Sequence, residues 1–171
     1  MRELSIEIVR KTFEYYILKQ GLYRIPYELP PELSRAKNGI FIAVFERIGL
    51  TPRGRVGSIF PSKSTICEEI QAHTISLAKT YAFRKNDLPF LTYELLMIKT
   101  PHLLSHISEL KQENGLLIRT ETSKIAYSLP ASIYKKPEQR LAETCSANGI
   151  DRGITDLRLY HFGTEKINEH F

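Results

Sequence analysis

The chain has 171 residues, a length that suits one domain or one domain with a small lobe. Hydrophobic residues make up 42%, with nine tyrosines and eight phenylalanines, which excludes disordered and fibrous classes. A net charge of +5 and a pI near 9.2 admit an anionic partner, yet no block of five like charges marks a nucleic-acid tail.

Apolar residues at Ile6, Val9, Phe13, Tyr16 and Ile17 recur at helical spacing, so residues 4–20 are expected to form a helix stopped at Gly21. Pro26, Pro30 and Pro31 mark an extended linker, and Asn38-Gly39 a turn. The run 40–45 reads as a buried strand. It is the longest strongly apolar run and far short of the roughly 20 residues that span a bilayer. Arg2, Glu3 and Glu7 interrupt the start of the chain as no signal peptide allows. The expectation is a cytoplasmic protein without a membrane span.

A glycine-arginine loop, Pro52-Arg53-Gly54-Arg55-Val56-Gly57, follows, and Val56 to Phe60 reads as a short strand. Ser64 or Thr65 caps a helix running to about Phe83, with Glu68 three residues beyond Thr65 completing a capping box, and its apolar face at Ile66, Ile70, His73, Leu77 and Tyr81. Residues 84–91 read as a loop, Thr92 to Met97 as a short helix, and Ile98 to Leu104 as an edge strand carrying Pro101. Residues 115–120 and 124–129 form a hairpin pattern around 121–123. Pro137 opens a helix that ends at Gly149, and 157–162 alternates as a last strand. The fold class expected is α+β: a mixed, largely antiparallel sheet flanked by helices.

Several side chains invite chemistry. Gly54 and Gly57 permit backbone angles that turn amides inward, and such amides with Arg53 or Arg55 hold a phosphate or carboxylate. The bland alternative is a tight strand connection with solvated arginines. Cys67 and Cys145, the two cysteines, lie in helical patterns and read as buried and inert. They form no disulfide framework and no zinc or redox motif. His102 and His106 have a helical metal-ligand spacing, but Pro101 argues against a helix and no third ligand is evident. His73 and His161 read as satisfied packing residues. Glu68-Glu69 fit capping rather than acid-base work. No metal or cofactor is expected. Lys135, Lys136, Arg140, Arg53, Arg55, Lys63 and Arg84, with Tyr134 for stacking, would make one nucleic-acid face if they converge.

The order of these segments resembles the AMMECR-type domain. The family signature Leu-Arg-Gly-Cys-Ile-Gly is matched by Pro52-Arg53-Gly54-Arg55-Val56-Gly57. Asn38-Gly39-Ile40-Phe41-Ile42 resembles its strand entry, and 88–95 its Phe-Pro-Pro-Leu-Thr-x-x-Glu-Leu. Gly115 to Arg119 with Ser128-Leu129-Pro130 resembles its hairpin, 137–150 its closing helix, and 159–162 its last strand. The resemblance implies one domain over 1–171 with a larger and a smaller lobe, the smaller placed within about 45–100. It implies no established reaction, and it names Memo-type and radical-SAM proteins as partners. Arg55 replaces the signature cysteine, so thiol catalysis at the loop is not expected and whether the chain is an enzyme stays open. The family's Asp-Pro-Arg-Phe falls on Lys85-Asn86-Asp87-Leu88, which adds Arg84 and Asp87 to Arg53, Gly54, Arg55 and Gly57 as ligand-binding candidates. The expected role is an accessory domain that binds a small anion or a protein partner through 53–57. The alternatives are an enzyme or enzyme partner acting on a nucleotide- or RNA-linked substrate, and a nucleic-acid-binding module.

Overall fold

The structure is a computed structural model that describes residues 2–25, 28–34, 39–130, 133–153 and 156–169. Pro26 and Asn38, named above in a linker and a turn, lie outside the described residues. The elements in order are α1 (Arg2–Lys19), β1 (Ile40–Glu46), β2 (Pro52–Gly57), α2 (Ile66–Thr80), β3 (Leu91–Ile98), β4 (His102–Leu103), β5 (Gly115–Thr120), β6 (Ile125–Ser128), α3 (Pro137–Ala147), β7 (Leu157–Phe162) and β8 (Thr164–Asn168). Short 3-10 helices occupy Pro31–Leu33, Lys85–Phe90 and Ile107–Glu109. The class is α+β, with antiparallel sheets flanked by helices. Among the described residues the strands divide into two four-stranded sheets, ordered β2-β1-β3-β8 and β4-β7-β5-β6.

The chain forms two compact units, Met1–Met97 with Glu165–Phe171, and Ile98–Thr164. The smaller unit is therefore not within about 45–100. That stretch holds β2, α2 and most of β3, whose side chains share one core with α1 and β1, so it cannot separate from them. In this first unit Ile8, Val9 and Phe13 of α1 pack with Ile42 and Val44 of β1, Ile70 and Leu77 of α2, and Leu95 of β3. Phe13 meets the Phe83 and Tyr93 rings at 4.9 and 5.4 Å between centroids, tilted or edge-on as aromatic quadrupoles prefer. The second unit packs α3, through Leu141 and Cys145, on Leu116 and Ile118 of β5 and Ala126 of β6.

Local chemistry explains most boundaries. The Thr65 hydroxyl accepts from Glu68 N–H at 3.1 Å and Glu68 accepts from Thr65 N–H at 3.2 Å, which satisfies two orphan donors of α2. Pro137 needs no donor at the first turn of α3, and Gly149 takes φ +59 just past its end. The expected helix at Thr92–Met97 is instead β3. It is buried along nearly its whole length as a central strand, so its apolar run lacks the alternation of an edge strand. The stretch 84–91, read as a loop, is mostly a 3-10 turn, and the strand expected over Val56–Phe60 ends at Gly57. β8 is an addition, with Ile167 its one core side chain.

The cap gives the first test. Thr65→Ala is expected to lower the unfolding free energy by about 1 kcal/mol in chemical denaturation, and unchanged stability would contradict the capping account.

Candidate functional site

The glycine-arginine stretch is not a loop but β2, the edge strand of the first sheet. Its glycines do not turn amides inward, because neither Gly54 nor Gly57 has positive φ. They are required for space. A Cβ on Gly54 would stand 2.6 Å from the Tyr81 ring, and one on Gly57 would stand 2.2 Å from the Ile40 carbonyl oxygen. Ser58 N–H donates to the Ile40 carbonyl at 2.9 Å. Hydrogen-bonded pairs alternate in an antiparallel ladder. Ile42↔Val56 and Val44↔Gly54 are then the bonded pairs, and the Arg55 backbone faces away from β1. Its carbonyl accepts from the Tyr81 hydroxyl at 3.4 Å.

Register places Arg55 opposite Ala43 on β1, and Ala43 opposite Glu94 on β3. Directly opposed residues share a face, so the small Ala43 side chain lets Arg55 reach across it. The Arg55 guanidinium lies 3.4 Å from Glu94, and the Lys166 ammonium of β8 lies 2.5 Å from the other carboxylate oxygen. Glu94 is 5% exposed, whereas both cations are about half exposed. A buried carboxylate is costly unless paired, and here it has two partners. The cluster carries one positive charge in excess.

Arg53 has a separate arrangement. The register slips between Val44↔Gly54 and Phe45↔Pro52, which makes Arg53 the extra residue of a bulge. Its guanidinium pairs with Glu46 at 3.1 Å and lies 5.6 Å over the Phe83 ring. Arg53 and Arg55 both border a cavity of about 500 Å³ with Ala43, Phe45 and Tyr81, but each holds its own carboxylate. A second cavity of about 230 Å³ is bordered by Phe45, Thr92, Glu94 and Lys166, so Glu94's cluster stands beside both. Asp87 borders a third space with Arg53 and Phe90, of about 320 Å³. Asp87 accepts from the Arg84 backbone N–H at 2.8 Å. Arg84 therefore meets Asp87 through its backbone and borders none of these three cavities.

The remaining candidates do not assemble. Cys67 and Cys145 are buried, and burial pushes both thiols up, which withholds the thiolate. His102 sits on β4 and His106 caps the 3-10 helix at 107–109, so their helical spacing is void; the His102 ring instead faces His161 at 5.7 Å. Among the described residues no three His, Cys, Asp or Glu side chains converge as metal ligands. Arg140 leaves the proposed basic face altogether, since it is 3% exposed and donates to the Lys111 and Leu129 carbonyls. Tyr134 is exposed. Glu69, read as a helix-start charge, is fully buried and accepts from the Ser62 and Lys63 backbone N–H groups. His73 lies 2.8 Å from it and 3.2 Å from the Ser58 hydroxyl. Sequence reading missed Lys166 and the role of Glu94. The Glu94 signal was present in Leu91-Thr92-Tyr93-Glu94-Leu95, one residue shorter than the family pattern it resembles, whereas Lys166 lies in a strand with little alternation.

The solved structure of uncharacterized protein PH0010 from Pyrococcus horikoshii superposes with a TM-score of 0.80. That likeness establishes the fold. It covers 99% of this chain and 91% of the Pyrococcus chain at 22% identity. No protein-family profile and no curated protein matches the chain. Among the described residues no helix is long and apolar enough to cross a membrane.

Two outcomes follow from the packing around β2. Gly54→Ala is expected to destabilise the protein by about 1–3 kcal/mol through contact with Tyr81, and most of that cost should vanish in a Tyr81→Ala background. Additive effects in a denaturation double-mutant cycle would contradict the contact. Burial holds the His73 pKa below its ordinary value, although Glu69 opposes this. The unfolded chain then binds the proton more readily, so stability present above the unfolded pKa is lost as pH falls. Between about pH 7 and pH 5 the denaturation midpoint should fall further for wild type than for His73→Gln. Parallel pH profiles would refute the assignment.

Proposed function

We propose that the chain is a divergent AMMECR-type domain that acts as an accessory binding module, taking a small anionic ligand or an acidic group of a protein partner beside Arg55 and Lys166. The observation that carries this reading is the pair of half-exposed cations on one buried carboxylate, flanked by two cavities. Glu94 fixes both cations, so little side-chain freedom is lost when an anion docks. Arg55 has guanidinium N–H groups beyond those facing Glu94, in a geometry suited to carboxylate and phosphate oxygens.

The resemblance in the order of segments supports the family, and the two-sheet α+β fold is compatible with it. Arg55 at the signature position favours binding over nucleophilic catalysis, because a guanidinium supplies charge and donors but no nucleophile. The same resemblance makes Memo-type and radical-SAM proteins the partners to test first. A nucleic-acid role for the basic side chains gains less support, since Arg53 pairs with Glu46 and Arg140 is buried.

Calorimetric titration with inorganic phosphate, citrate and AMP tests the site. At least one of these anions is expected to bind, and Arg55→Ala or Lys166→Ala should weaken it by about tenfold or more, that is by roughly 1.4 kcal/mol. Arg55→Lys should restore it only in part, because an ammonium lacks the planar fork. Equal affinity in all variants, or no binding of any of the three anions, would refute the proposal.

A further inference from the structure

The second unit carries a cavity of about 430 Å³ on the face of its sheet opposite α3, bordered by Arg119, Thr120, Glu121, Ser123, Asp156, Arg158 and Tyr160. Register explains the grouping. Arg119 on β5 stands directly opposite Arg158 on β7. On the same face, two residues along, Tyr160 stands opposite Leu117. On the other side of the arginines the ladder closes at Thr120↔Leu157, and Glu121 and Asp156 follow immediately. Alternate residues of a strand are about 6.7 Å apart, so the arginines lie between an aromatic side chain and two carboxylates.

Like charges directly opposite in a ladder are destabilising. Two carboxylates border the same cavity and would relieve that repulsion by pairing. They do not: among the described residues none of Arg119, Arg158, Glu121 and Asp156 forms an ion pair or a side-chain hydrogen bond. All four are exposed. The four charges border one space, and its volume is in the range of small-molecule sites. Two adjacent guanidinium groups suit the oxygens of one phosphate. Carboxylates about one alternate-residue step away repel a second phosphate but accept hydrogen bonds from hydroxyl groups.

We propose that this face binds a phosphorylated polyol, with the phosphate on Arg119 and Arg158 and the hydroxyl groups on Asp156 and Glu121. The shared chemistry is a phosphate ester beside hydroxyls, which a free sugar phosphate and the ribose phosphate of a nucleotide both offer. The site belongs to the second unit and is independent of Arg55.

Calorimetry with ribose 5-phosphate, AMP, inorganic phosphate and ribose decides the matter. Ribose 5-phosphate or AMP should bind at least about tenfold more tightly than phosphate, with ribose weaker still. Whichever ester binds more tightly identifies the source. Arg119→Gln and Arg158→Gln should each cost about tenfold. Asp156→Asn should erase the preference for the ester while phosphate still binds. The proposal is overturned if neither ester binds at about 10 mM, if both arginine variants bind as wild type does, or if Asp156→Asn keeps the preference. Thermal melting of the variants establishes that each is folded.

Discussion

The first sheet is organised around one buried carboxylate. Glu94 lies on a central strand, where an unpaired charge would cost several kcal/mol, and it is answered from both sides by Arg55 and Lys166. The two cations come from the outer strands of the sheet, β2 and β8. Their shared partner ties the edges of the sheet together across Ala43. Any larger side chain at Ala43 would stand in the path of Arg55, so the small residue in an otherwise bulky strand has an electrostatic reason.

The position of β2 depends on what lies against it. Tyr81, at the C-terminal end of α2, covers Gly54 and meets the Arg55 carbonyl with its hydroxyl. That contact also occupies part of an exposed sheet edge, which blunts pairing with other chains. The start of α2 is fixed as firmly, by the Thr65 capping box and by Glu69, which gathers the backbone of Ser62 and Lys63. The helix therefore links a polar anchor at one end to the glycine of the candidate site at the other.

Much of this was legible in the sequence because local signals acted alone. The capping box, the 121–123 turn, Pro137 and Gly149 each work through short-range chemistry and each falls where expected. The failures have a common cause in long-range pairing. Gly54 and Gly57 look like turn residues until Tyr81, Ile40 and Phe41 are brought against them, and then they are spacers in a strand. β3 has the composition of a short helix and becomes a strand because β1 and β8 bury it. Lys166 carries no sequence signal at all, since only the sheet order brings it to Glu94. The paired arginines of the second unit are likewise separated by the α3 helix in sequence and meet only through register.

The central claim is that Arg55 and Glu94 are energetically coupled across the first sheet, which a double-mutant cycle on unfolding free energy measures directly. Arg55→Ala, Glu94→Gln and the double variant should give an interaction energy of at least about 0.5 kcal/mol. Strict additivity of the two substitutions would contradict the account.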